Sequence, residues 1–221
     1  MAGMSPDAAP ATLDLLPFTG DEDADRLLAH DPLALLIGFA LDQQVPLQKA
    51  FRGPLELRRR VGPFDAARIA AMEPEALEAA FVARPALHRF PANMARRTQG
   101  LCAVIARDYA NDPSLIWSGA VDGPDLRRRL LRLPGFGEMK ADALLAVLAR
   151  RFGIVKPGLD ALLPTHPTLG DVDSDAARER YLAGKRAYKA AVRAGLGEAA
   201  ARGAAMDAGE AGGGRGRNAR W

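Results

Sequence analysis

From about residue 21 to residue 194, apolar side chains recur at spacings of three and four, β-branched runs are scarce, and Pro, Gly or Asp stands at nearly every break. That pattern predicts helices and no sheet. The predicted helices run over 21–29, 32–41, 47–61, 65–71, 74–83, 91–109, 123–132, 138–152 and 174–194. A loop is expected at 84–90, a Pro-started turn at 112–118, a Pro/Gly-rich stretch at 153–170, and mobile ends at 1–18 and 196–221. The segment 32–41 starts with proline in its first turn and is apolar nearly all round, which marks it as the central helix. The fold class expected is all-α, with no internal repeat.

Composition adds limits. At 221 residues with 48% hydrophobic and 26% charged residues, the chain can build a sizeable core in one or two domains. One cysteine, Cys102, excludes an intrachain disulfide, a four-cysteine zinc site and an iron–sulfur cluster held by four thiolates. The longest apolar run, 33–41, is far shorter than the ~20 residues of a membrane span, and no basic stretch precedes an apolar one at the N-terminus. Membrane insertion and export are not expected; a cytoplasmic protein is. The net charge of +3 averages two unlike parts. Residues 1–31 carry seven acids against Arg26, or −6, and the remainder carries 29 Lys and Arg against 20 Asp and Glu, or +9. Many of those arginines come in short clusters, which suits a polyanionic partner.

The most informative stretch is 126–148, a helix, the turn Leu133-Pro134-Gly135-Phe136-Gly137, and a second helix. Such a turn aims backbone N–H groups near Gly135, Gly137 and Lys140 at one spot on a helix N-terminus, where the dipole favours an anion. Arg127, Arg128, Arg129 and Arg132 precede it, and Lys140, Arg150 and Arg151 follow. Fixed donors and cations in this order are expected to track a sugar-phosphate backbone without reading bases.

The turn resembles the L-P-G-hydrophobic-G hairpin of the helix-hairpin-helix (HhH-GPD) DNA glycosylase superfamily, which includes endonuclease III. Asp31 to Ile37 followed by Leu41-Asp42-Gln43-Gln44 is similar to that family's early buried helix ending in a glutamine loop, and 89–101 resembles its helix before the hairpin. The resemblance covers about residues 20–195 and suits a branch without the iron–sulfur loop. It implies a two-lobed body, with a six-helix barrel over 32–152 and a second lobe from 20–31 and 153–195, and DNA across the cleft between them. It further implies DNA contacts from Gly135, Phe136, Gly137, Lys140 and Arg132. The carbonyls of Leu131, Leu133 and Phe136 would hold Na⁺ or K⁺. Gln44 takes the position of a residue that fills the gap left by a flipped base; a polar loop tip without a DNA role is the other reading.

A glycosylase flips a damaged nucleotide and steadies positive charge on its sugar with a carboxylate. By position, the family's carboxylate corresponds to Asp160, eight residues after Phe152, although the family's flanking residues are absent; Asp171 and Asp173 are alternatives that also suit a helix start. The Schiff-base lysine of bifunctional members lies two residues after the second hairpin glycine, where this chain has Met139. Lys140, about 100° further round the helix, is expected to face phosphate instead of the pocket. His30, His88 and His166 show no metal spacing, and His88 with Arg89 lies in a loop able to face DNA. The function expected is a monofunctional DNA glycosylase of base excision repair. It would act as a monomer on double-stranded DNA containing a damaged base and need no cofactor. The alternatives are a lesion-binding protein of the same fold without catalysis, and a helical interaction protein with an incidental hairpin.

Overall fold

The computed structural model describes residues 13–212; the expected mobile ends at 1–12 and 213–221, including the Gly/Arg tail, lie outside the described residues. Among the described residues there are eleven α-helices and no strand. Helix α1 (Glu22–His30) begins at Asp21, whose carboxylate accepts from the Ala24 amide. One residue later Asp31 caps α2 (Pro32–Leu41), accepting from Leu33 N and Ala34 N. Two capping carboxylates ten positions apart thus set the start of both helices. Residues 33–41 are all buried, so α2 is the central helix.

The packing around α2 is close. A Cβ on Gly38 would sit 2.7 Å from Phe51 of α3 (Leu47–Val61), and one on Gly53 would sit 2.6 Å from Leu41. Phe18, Phe51 and Phe39 meet edge to face at 5.3 and 5.2 Å, and Phe39 reaches Phe136 of the hairpin at 6.4 Å. A line of aromatic rings therefore runs from the N-terminal segment through the core to the predicted DNA-binding turn. Helices α4 (Ala66–Ala70) and α5 (Pro74–Val82) pack on α6 (Pro91–Asp108). A short α7 (Leu115–Ser118) leads to α8 (Gly123–Leu131) and, across the hairpin, to α9 (Glu138–Arg150). The chain then folds back over α9: Gly170 lies so close that a Cβ there would come within 2.5 Å of the Ala146 carbonyl oxygen.

Two expectations about the ends are corrected. Residues 13–18 are not loose, because Leu16 and Phe18 are fully buried and the Asp25 carboxylate accepts from Phe18 N, Thr19 N, Thr19 Oγ1 and Gly20 N. Nor do residues 198–212 form a mobile tail. Helix α11 (Glu198–Gly212) packs back on α10 (Asp175–Arg193), with the Ala205 carbonyl 2.7 Å from where a Cβ on Gly184 would be. Alanine is the strongest helix former, and small residues let two backbones approach closely without the large apolar stripe that marks most amphipathic helices. A 3₁₀ turn at Leu169–Asp171 and another at Asp160–Leu162 break the Pro/Gly-rich stretch.

Candidate nucleic-acid interface

The hairpin forms as its residues dictate. Gly135 has φ +85°, a left-handed conformation that an L side chain adopts only with strain, and a Cβ there would come within 2.6 Å of Arg97 Cδ. Gly137 differs. Its φ of −97° suits any residue, and a Cβ there would meet nothing within 4 Å. The fold itself does not require glycine at 137; the bare backbone faces open space. Gly137 caps α9 without a side chain, so the Glu138 and Met139 amides at the helix start have no side-chain partner among the described residues.

Three hairpin expectations need correction. The Phe136 side chain is buried against Phe39 and its amide donates to the Leu133 carbonyl, so neither meets DNA. The Lys140 amide donates to the Gly137 carbonyl inside the helix start. The Lys140 side chain turns inward, where Nζ donates to the Ala40 carbonyl at 3.1 Å. That carbonyl belongs to the last turn of α2, which has no helical donor of its own and attracts a cation. Met139 takes the outward position and is 87% exposed.

Most of the flanking arginines are also committed elsewhere. Arg127 pairs with Asp142 across the two hairpin helices, Arg128 and Arg129 both pair with Asp125, and Arg150 pairs with Asp171. Arg132 stays exposed with no acid paired to it. The clustered arginines therefore serve mainly as ties between α8, α9 and the loops around them, and they do not form the expected comb of phosphate contacts.

The structure instead joins the hairpin to the glutamine loop. Arg97 of α6 lies under Gly135 and donates from Nη1 to Gln43 Oε1 at 2.6 Å. His88 holds the other side of that loop. Its Nδ1 accepts from Phe90 N at 3.1 Å, so Nε2 carries the proton and donates to the Gln43 carbonyl at 2.7 Å. His88 is buried and corrects the expectation of a DNA-facing histidine; burial lowers its pKa, with nearby Lys49, Arg89 and Lys140 acting in the same sense. Between these anchors Gln44 is exposed with φ +53°, a left-handed conformation that costs a non-glycine residue about 1–2 kcal/mol.

Behind the loop lies a compact charged cluster. Burial pulls the Lys140 ammonium down to about 8; Asp42 opposes that shift and Arg97 adds to it. Asp42, at the C-terminal end of α2, pairs with Lys185 of α10 at 3.6 Å, and the Lys185 ammonium lies 5.8 Å from the Tyr181 ring centroid. Burial raises the Tyr181 pKa. Asp160 is not part of this group. It is exposed in its 3₁₀ turn, and its neighbour Leu159 packs on Gly123, the first residue of α8, whereas the hairpin follows the last. Helix α8 is nine residues long, about 12 Å between those ends. Asp171 is spent on a capping box with Thr168 and on Arg150, and Asp173 is exposed at the start of α10.

Asp42 and Arg97 were not singled out from sequence. Asp42 sits next to the glutamines as an ordinary helix-end acid, and Arg97 is one of several arginines on α6. His30 is exposed at the end of α1 and His166 is exposed in the loop after α9. Among the described residues no group of three or more His, Cys, Asp or Glu is placed to hold a metal, and no helix is long and apolar enough to cross a membrane. Comparison with known protein families, curated proteins and solved structures finds no match to this chain.

Proposed function

We propose that the protein binds duplex DNA through the 133–137 hairpin and hydrolyses the N-glycosidic bond of a damaged base flipped from the stack, as a monofunctional DNA glycosylase. The observation that carries the reading is Gly137: a glycine its own fold does not need, on open surface, at the unsatisfied amides that begin α9. A phosphate reaching those amides is what excludes a side chain. Gly135 and Arg132 would share that surface, and Gln44, exposed and held in a strained conformation, would enter the duplex. On this reading the carbonyls of Leu131, Leu133 and Phe136 hold a monovalent cation. Leu133 O already accepts from Phe136 N, and its second lone pair stays available for such an ion.

The carboxylate that steadies the sugar is, on this geometry, Asp42 in place of Asp160, because Asp42 shares its surroundings with Lys140 and the glutamine loop. No lyase step is assigned, since Met139 occupies the outward position. The test is base release from a panel of damaged duplexes: release that survives Asp160→Asn and falls at least a hundredfold in Asp42→Asn is expected. A second reading, lesion binding without catalysis, is favoured by the separation of Asp160 from the hairpin. Salt-dependent DNA binding, weakened by Gly137→Asp and accompanied by no base release from any lesion, would establish it.

A further inference from the structure

Three cations without a carboxylate partner among the described residues, Arg89, Lys189 and Arg193, lie beyond Gln44. Gln44, Val45 and Pro46 form one wall of an open groove of about 690 Å³, and Arg89, Tyr188, Lys189, Val192 and Arg193 complete it. The volume falls in the ~300–1,000 Å³ range of small-ligand clefts. No acid lines the groove. Lys189 and Arg193 are exposed and, among the described residues, paired with no carboxylate, and the Arg89 guanidinium lies 4.7 Å from the Phe90 ring centroid. Tyr181, Lys185, Tyr188 and Val192 follow one another at spacings of four, three and four, so a single face of α10 carries the ion pair to Asp42 at one end and the groove at the other. The groove is continuous with the hairpin through Gln44, Gln43 and Arg97.

We propose that this groove takes one unpaired nucleotide of a DNA strand, with its phosphate on Lys189 and Arg193 and its base against the Tyr188 ring. Two unpaired cations beside a half-buried aromatic ring match the two parts of a nucleotide, the anion and the π-face. An acidic peptide would satisfy the cations and leave Tyr188 and Val192 without a partner. The assignment rests on the duplex-binding reading and adds to it a second contact, on α10, which holds a displaced nucleotide outside the stack.

The experiment compares two fluorescein-labelled duplexes of equal length, one fully paired and one with a single bulged thymidine, by fluorescence anisotropy at several salt concentrations. The bulged duplex is expected to bind on the order of tenfold more tightly. Tyr188→Ala removes that preference and Tyr188→Phe keeps it. Lys189→Ala and Arg193→Ala, both at exposed positions, each lower the log–log salt slope for the bulged duplex by about 1 and leave the slope for the paired duplex nearly unchanged. Equal affinity for the two duplexes, or a preference that survives Tyr188→Ala, overturns the groove assignment while leaving hairpin binding intact. Failure of wild type to bind either duplex, or binding indifferent to Gly137→Asp, overturns the duplex-binding reading and the groove assignment with it.

Discussion

Arg97 spans two parts of the candidate interface that lie far apart in the chain: its methylene carbons pack beneath Gly135, and its guanidinium donates to the Gln43 side chain at 2.6 Å. The bridge ties the hairpin to the glutamine loop. Replacing Arg97 with methionine keeps most of the packing and removes the bond. It is expected to cost about 1 kcal/mol of stability and to weaken DNA binding several-fold, because Gln44 is no longer held in place. Chemical denaturation and anisotropy measured on the same variant check both effects.

The two hairpin glycines should behave differently. Gly135→Ala puts a Cβ into a φ of +85° and into the Arg97 side chain, and is expected to lower stability by about 1–2 kcal/mol. Gly137→Ala meets no such obstacle. Its melting temperature should match wild type, while its affinity for duplex DNA falls about tenfold. A Gly137→Ala protein that binds normally would remove the hairpin from the interface.

Gln44 offers a case where stability and function move in opposite directions. Glycine relieves the left-handed strain at φ +53°, so Gln44→Gly is expected to raise stability by about 0.5–1 kcal/mol. The same change removes the side chain proposed to enter the duplex, and base release should drop. Thermal melts and single-turnover release from one damaged duplex separate the two.

Lys140 should titrate near 8, well below an ordinary lysine at 10.5. Between those values an unfolded chain keeps a proton that the folded protein has lost, so this group makes the protein more stable as pH rises from about 8 to about 10.5. Asp42 holds the ammonium charge in place, and Asp42→Asn is therefore expected to lower the midpoint further, whereas Arg97→Met raises it. NMR titration of ¹³C-methylated lysines reads these midpoints directly.

His88 shows the same sign of dependence in a lower pH window. Its neutral ring accepts from Phe90 and donates to Gln43, and its pKa is depressed by burial. The stability it contributes is complete above the ordinary histidine value of about 6.5 and is lost as pH falls from there through the folded value. His88→Gln is expected to flatten that part of the stability–pH curve. Denaturant midpoints measured from pH 7.5 down to pH 5 test it.

Helix content, the buried course of α2 and the hairpin were legible in the sequence because each rests on short-range rules. Spacings of three and four mark helices, Asp21 and Asp31 mark helix starts, and Pro-Gly-x-Gly marks a turn whose glycine must take a positive φ. The helix of small residues at 198–212 escaped those rules, since close backbone packing needs no apolar stripe. The destination of each charge was decided only in three dimensions. Counting placed six arginines and Lys140 around the hairpin, and folding committed Arg127, Arg128, Arg129 and Arg150 to nearby carboxylates and Lys140 to a helix-end carbonyl. A charged side chain goes to whichever partner the packed helices bring within reach, and Asp42, Arg97 and Lys140, drawn from three helices, share no signal along the chain. The sequence determined which residues form helices and where the chain turns; the tertiary structure decided which cations remain free to meet a polyanion.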